Sequence, residues 1–259
     1  MHEFKKFEEI ILEAGDLLKK GFFQSEKKID LKGKKDLVTQ FDVKVEAFLK
    51  EAFSSFGFDF IAEESESGFK TPYNTIIIDP IDGTTNFAHK IPHCAISVAI
   101  YKKGILTYGF VYNPILNEFF YAVKDEGAFL NAKKIEVSKN SYFQRALIAT
   151  GFPYSSADNI KDLEWVMEKL KNILPKCQDI RRLGSAALDL CYVACGRYEG
   201  FYEINLKPWD VAAGSFILQE AGGRVSNDRG DEFDMFKDKC IVASNKVIHE
   251  EFIKTLNKK

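Results

Sequence analysis

A mixed α/β fold is predicted for this 259-residue chain by three features: two amphipathic helical stretches near its start, a series of short β-branched and aromatic runs after them, and strands interspersed with helices through the second half. From Phe4 to Phe22, the apolar residues Phe7, Ile10, Ile11, Ala14, Leu17 and Leu18 recur at three- and four-residue steps, with Gly21 placed to end a helix. Lys27 to Lys35 is polar and basic around Gly33, the composition of a hairpin or mobile loop. Thr39 to Phe56 reads as a second helix with Phe41, Val45, Phe48, Leu49 and Ala52 as its stripe. Thr75–Ile78, Ala95–Tyr101, Leu106–Tyr112 and Glu118–Val123 follow as strands of a mainly antiparallel sheet. The second half supplies a strand at Ala146–Ala149, a helix around Asn159–Leu174 and an apolar helix at Ser185–Ala194. A strand near Gly200–Ile204, a helix after Trp209-Asp210 and a closing helix over Lys246–Leu256 complete it. No Pro/Gly/Ser tract and no repeat divides the chain, so residues 1–259 read as one unit, with two lobes meeting near Ser138.

Composition narrows the function classes. At 46% hydrophobic and 29% charged, the chain has the apolar mass for a large core. A net charge of -2 provides no global positive field for nucleic acid or an acidic membrane. No apolar run approaches the ~20 residues that span a bilayer, and the N-terminus lacks the apolar core of a secretion signal. A cytoplasmic location is the expectation. The five cysteines form no Cys-x-x-Cys pair, so reduced, buried thiols are expected, including Cys191 and Cys195. Pro92 argues against placing His89 and His93 on one helical face as a metal site.

Chemistry concentrates in carboxylates. Ile76-Ile77-Ile78 reads as a strand buried on both faces that ends on Asp79, with Asp82 three residues on. Two acids there are costly unless paired or metal-bound, and hard cations such as Mg²⁺ take carboxylate and carbonyl oxygens, to which Ile81 can add. Gly83 permits close backbone approach, and Thr84 and Thr85 suit a helix start, where N–H groups and the dipole favour phosphate. Alone, this segment reads first as a capped strand-to-helix turn. Likewise Glu63-Glu64 alone reads as a solvated pair, and Asp210 as an N-cap. Together the three clusters offer what a multi-metal site needs. No Ser, Cys or His constellation indicates a covalent intermediate, and no Gly-x-x-x-x-Gly-Lys loop indicates an ATP-dependent kinase.

Glu63-Glu64, Asp79-Pro-Ile-Asp-Gly-Thr-Thr-Asn-Phe87 and Trp209-Asp-Val-Ala-Ala-Gly214, in this order and spacing, resemble the signature of the inositol monophosphatase family. Asp36-Leu-Val-Thr-Gln-Phe-Asp42 and Gly184-Ser185-Ala186-Ala187 extend the resemblance over nearly the whole chain. Ala62 stands where the family often has glycine, and Lys207-Pro208 resembles its bacterial branch. The resemblance implies a five-layered α-β-α-β-α sandwich, shared with fructose-1,6-bisphosphatases, and a homodimer inhibited by Li⁺. It implies two to three Mg²⁺ ions per site. Glu63, Asp79 and the Ile81 carbonyl match the ligands of the first, and Asp79, Asp82 and Asp210 those of the second. A third, weaker ion touches Glu63. Thr84 and Asp42 match the pair that orients the attacking water, Gly83 and Thr84 the phosphate-binding amides, and Glu203 a contact to substrate hydroxyls. Ser185 and Ala186 match further pocket residues.

These roles suit a magnesium-dependent phosphate monoester hydrolase, because carboxylate-held cations can activate water and neutralise the departing alkoxide. Inositol 1-phosphate is the expected small-molecule substrate. Fructose-1,6-bisphosphate, histidinol phosphate and 3′-phosphoadenosine 5′-phosphate are the alternatives, although Asp82-Gly-Thr-Thr-Asn-Phe87 differs from the Asp-Gly-Thr-Lys-Glu-Phe pattern of the nucleotide branch. A non-catalytic regulatory binding protein is the competing class, disfavoured by retention of every matched metal carboxylate. Lys207 is expected as a solvated lysine or rim contact. Arg181, Arg182 and the Lys32–Lys35 loop are expected to stay outside the site.

Overall fold

The computed structural model describes residues 2–25, 28–32, 37–65 and 71–258. Lys27 and Gly33 to Asp36, which belong to segments read above, lie outside the described residues. Helix α1 (His2–Phe23) precedes an antiparallel pair, β1 (Ile29–Leu31) and β2 (Leu37–Thr39), followed by α2 (Gln40–Phe53). A seven-stranded sheet comprises β3 (Asp59–Ala62), β4 (Thr75–Asp82), β5 (Ala95–Lys102), β6 (Ile105–Asn113), β7 (Glu118–Val123), β8 (Gly127–Leu130) and β9 (Lys133–Ile135) in chain order, with α3 (Thr84–Ala88) after β4. Within this sheet, among the described residues, only the β3–β4 pairing is parallel.

The remaining elements are β10 (Leu147–Thr150), α4 (Ile160–Ile173), β11 (Asp179–Arg181), α5 (Ala186–Ala194), β12 (Gly200–Ile204), α6 (Pro208–Glu220), β13 (Arg224–Ser226), β14 (Cys240–Ser244) and α7 (His249–Leu256). Their strands form a second sheet in the order β11-β10-β12-β14-β13. Ser138 falls in the connection between the two sheets.

Side-chain alternation assembles the layers. In β4, Ile76 and Ile78 face α1 and α2, while Ile77 faces α5 and α6, as period-two geometry requires. In β10 and β12, Ala149 and Phe201 point to that central helical layer, whereas Ile148 and Tyr202 point to α4 and α7. The result is α-β-α-β-α, with α5 and α6 at the centre. These two helices approach closely: a Cβ at Gly214 would lie 2.9 Å from Leu190 Cβ and 3.1 Å from the Ala187 carbonyl. Small residues in both helices therefore bring their N-terminal ends, and Ser185 and Asp210 with them, to the carboxyl end of β4.

One local reading shifts. The second helix stops at Phe53, with a tight 3-10 turn over Ser54–Phe56, where the Ser54 hydroxyl donates to the Glu51 carbonyl at 2.6 Å. Cys191 is fully buried in the apolar core, as free-thiol packing requires.

Candidate active site

Strand β4 is buried along its whole length and carries its acids out of the core at one end. Its pairing with β5 shifts register between Asp79, opposite Ser97, and Asp82, opposite Ala95, so one extra residue bulges from β4. Asp79 accepts from the Ile81 amide at 3.0 Å. Gly83 then turns the chain with φ +89° into α3. Glu63 arrives from the 3-10 turn that ends β3, the parallel neighbour of β4. Asp210 arrives from the first turn of α6, where it accepts from the Lys207 amide at 2.6 Å. Across the layer, Asp82 accepts from the Ser185 hydroxyl and from the Ala187 amide at 2.8 Å, at the start of α5.

Carboxylate oxygens of Asp79, Asp82 and Asp210 all lie within 4.8 Å of one another. Burial, with repulsion from the neighbouring acids, raises Asp79 and Asp210 well above the usual carboxylate range. Burial also pushes Asp82 up to about 6, against the hydrogen bonds from Ser185 and Ala187. Glu63 is raised by burial, with Lys32 opposing. An all-oxygen donor set whose members repel one another fits a hard divalent cation, which removes the repulsion and the cost of burying the acids together.

Asp42 sits behind this cluster, fully buried. Its Oδ2 accepts from the Thr39 amide at 2.8 Å and hydroxyl at 2.6 Å, a capping arrangement at the head of α2. Its Oδ1 lies 2.9 Å from Thr84 Oγ1, which is also 3.0 Å from the Ile81 carbonyl. Glu63, Asp79, Ile81, Asp82, Gly83, Thr84, Ser185, Ala186, Glu203 and Asp210 line one cavity of about 490 Å³. The structure therefore joins every site residue read from the sequence, ten at the cavity wall and Asp42 through Thr84. Burial, together with Asp189, pushes the Glu203 carboxyl up to about 8, with Arg182 opposing.

The same cavity takes in residues that the sequence reading left outside. Lys32 reaches Glu63 at 2.9 Å and Glu64 at 2.6 Å. Arg182 lies over the Phe152 ring, 5.2 Å from its centroid. Lys207, read from the sequence as a solvated lysine or a rim contact, also lines the cavity. Residues 151–155 and Asn205 form a further part of the wall. Exposed basic side chains and an irregular Gly-Phe-Pro-Tyr-Ser segment have no periodicity to mark them, and only the chain path brings them to the acids.

The model of the inositol monophosphatase family matches residues 1–259. The chain belongs to the inositol monophosphatase family. An inositol-1-monophosphatase of Caulobacter vibrioides is 38% identical over 239 residues, covering 90% of this chain and 91% of its own. A Pasteurella multocida protein named Nus factor SuhB is 36% identical over 241 residues, covering 92% and 89%. The crystal structure of the extragenic suppressor protein suhB from Bartonella henselae superposes with a TM-score of 0.92 at 36% identity, covering 100% and 99%. Membership makes the chain a phosphatase of a metal-dependent family, acting on a small molecule. Among the described residues, no helix is long and apolar enough to cross a membrane.

Proposed function

We propose that this chain is a Mg²⁺-dependent phosphate monoester hydrolase that acts on inositol monophosphate by direct attack of water. The observation that carries the reading is the convergence of Asp79, Asp82 and Asp210 within 4.8 Å beside the Thr84–Asp42 pair. Glu63, Asp79, Asp82, Asp210 and the Ile81 carbonyl would hold Mg²⁺, which supplies water activation and charge neutralisation when bound.

The protein's own groups handle the proton. Both Thr39 donors occupy Asp42 Oδ2, leaving Oδ1 to accept from the Thr84 hydroxyl. With its hydrogen turned to Asp42, Thr84 Oγ1 presents lone pairs to the cavity, and an attacking water can donate there. Burial raises Asp42, so it is suited to receive that proton through Thr84. The amides of Gly83 and Thr84 are the candidate phosphate donors. Glu203 and Ala186 bind the alcohol end, while Ser185 holds Asp82 in place.

Asp82→Asn tests this assignment. Its magnesium-dependent turnover is expected to fall on the order of 100-fold, the several kcal/mol a cation-held charge contributes. Undiminished turnover across a Mg²⁺ titration would sink the metal assignment. A panel of inositol, fructose, histidinol and nucleotide phosphates measures the substrate choice, with selective hydrolysis of the nucleotide bisphosphate as the overturning result. Two to three ions per site, a homodimer and Li⁺ inhibition belong to the same reading and rest on the family resemblance.

The name Nus factor, given to the Pasteurella relative, favours a second reading in which a competent enzyme also has a regulatory macromolecular partner. A purely binding role instead requires no magnesium-dependent turnover in the parent chain.

A further inference from the structure

One wall of the cavity is irregular chain. Beyond Thr150 the backbone leaves the β10–β12 pairing, and Gly151, Phe152 and Pro153 line the cavity together with Tyr154 and Ser155, which open the short 3-10 turn that leads to α4. The other side is the connection from β12 to α6, which runs from Glu203 through Asn205 and Lys207 to Asp210.

A side-chain bridge centred on Asn205 joins the two. Asn205 Nδ2 donates to Ser155 Oγ at 2.9 Å and to Asp162 Oδ2 at 2.8 Å, one hydrogen to each. The Ser155 hydroxyl and Lys239 beside Asp162 hold its carboxyl below the usual carboxylate range. Asp162, in the first turn of α4, is 5% exposed, does not line the cavity, and has Lys239 Nζ 3.6 Å from its other oxygen. Lys239 also accepts the Asn205 backbone amide at 2.8 Å, and Asn205 holds φ +64°. A non-glycine residue in the left-handed region persists where its surroundings over-determine it. Both hydrogens of the Asn205 amide are used, so this bridge ties three chain segments at one point.

We propose that Asp162 is a positioning residue: through Ser155 and Asn205 it fixes the 151–155 wall against the β12–α6 connection and so sets the fit of the substrate's alcohol moiety. This role rests on the phosphatase reading above and extends it to a residue outside the cavity. The phosphate end is held by the β4–α3 turn and the acids, which the bridge does not touch. Loosening the wall therefore weakens binding of the alcohol and spares the chemistry.

The test uses the full chain carrying Asp162→Ala, with Asp162→Asn as the conservative variant that keeps an oxygen acceptor. For inositol monophosphate, Asp162→Ala is expected to raise KM about tenfold, the effect of a lost hydrogen bond on binding, with kcat within about twofold. The inhibition constant of inorganic phosphate is expected to stay within about twofold, and Asp162→Asn to recover most of the KM. Asn205→Gly, which accepts the positive φ but lacks the amide, is expected to reproduce the KM shift and serves if Asp162→Ala does not fold. Amide hydrogen exchange gives a readout that needs no turnover: faster exchange in Asp162→Ala is expected at residues 151–158, with β4 unchanged. A fall in kcat at constant KM, equal weakening of phosphate inhibition, or unchanged exchange at 151–158 would each overturn the proposal. Absence of magnesium-dependent turnover in the parent chain would instead remove the phosphatase reading, and the exchange result would still decide the clamp.

Discussion

Gly83 combines a φ of +89° with crowding on both sides, since a Cβ there would lie 2.9 Å from the His93 carbonyl oxygen and 3.1 Å from that of Gly184. Neither neighbour is the end of a flexible side chain, so the backbone must move. Gly83→Ala is expected to cost about 1–3 kcal/mol, read as a lower urea midpoint, and to reduce kcat/KM because Asp82 and Thr84 flank the displaced residue. An unchanged midpoint would show that the turn tolerates a side chain. At this scale the sequence was most informative about acids and least about bases. Asp79, Asp82, Glu63 and Asp210 follow apolar runs or begin a helix, so their neighbours mark them. Lys32 and Arg182 have no such markers, and their roles follow from which carboxylates and rings the fold places beside them.

Helix α2 shows how an element can serve both stability and chemistry. Thr39 caps it by accepting from the Phe41 amide at 3.1 Å, and its own donors both engage Asp42. Thr39→Ala removes the hydroxyl, and denaturation is expected to show a loss of about 1 kcal/mol. The same variant leaves Asp42 with one donor fewer, so kcat is expected to fall while KM for substrate holds; an unaltered kcat would separate the cap from the reaction. The long helices and the longer strands of the first sheet, β4 to β7, were legible because their apolar spacing repeats over several turns or pleats. Strands β8 and β9 were not. They are four and three residues long, and Lys133-Lys134-Ile135 lies at a sheet edge, where lysines are compatible with pairing and alternation is too short to read.

For the whole molecule, the cost of acid falls on buried histidine. His249 packs fully buried under the second sheet, with Ser226 Oγ 2.8 Å from Nε2 and Ser244 Oγ 2.8 Å from Nδ1. Ser226 donates to the Asn227 carbonyl, so its oxygen is free to accept from Nε2–H, and Nδ1 then accepts from Ser244. That assignment describes a neutral ring. Burial, aided by Arg224, lowers its pKa from 6.5 to about 4. The folded value is the depressed one, so this stabilisation is fully present above the unfolded pKa of 6.5 and is lost as pH falls toward 4. The loss is on the order of 3 kcal/mol over that window. Urea unfolding at pH 7.5 and pH 4.5 is expected to show a shallower decline for His249→Gln than for the parent, and equal declines would refute the assignment.

The sequence by itself determined the α/β class, the principal helices and strands, the clustered acids and the family, because each is written in local periodicity or in a contiguous motif. Tertiary structure decided which distant segments meet. It placed Asp42 behind Thr84, turned Ser185 onto Asp82, and brought Lys32, Arg182 and the 151–155 wall to a cavity whose floor lies on β4. Those relations depend on the packing of α5 against α6 and on the crossing between two sheets. Contacts of that kind join residues 103 positions apart, as Asp82 and Ser185 are, and local spacing holds no record of them.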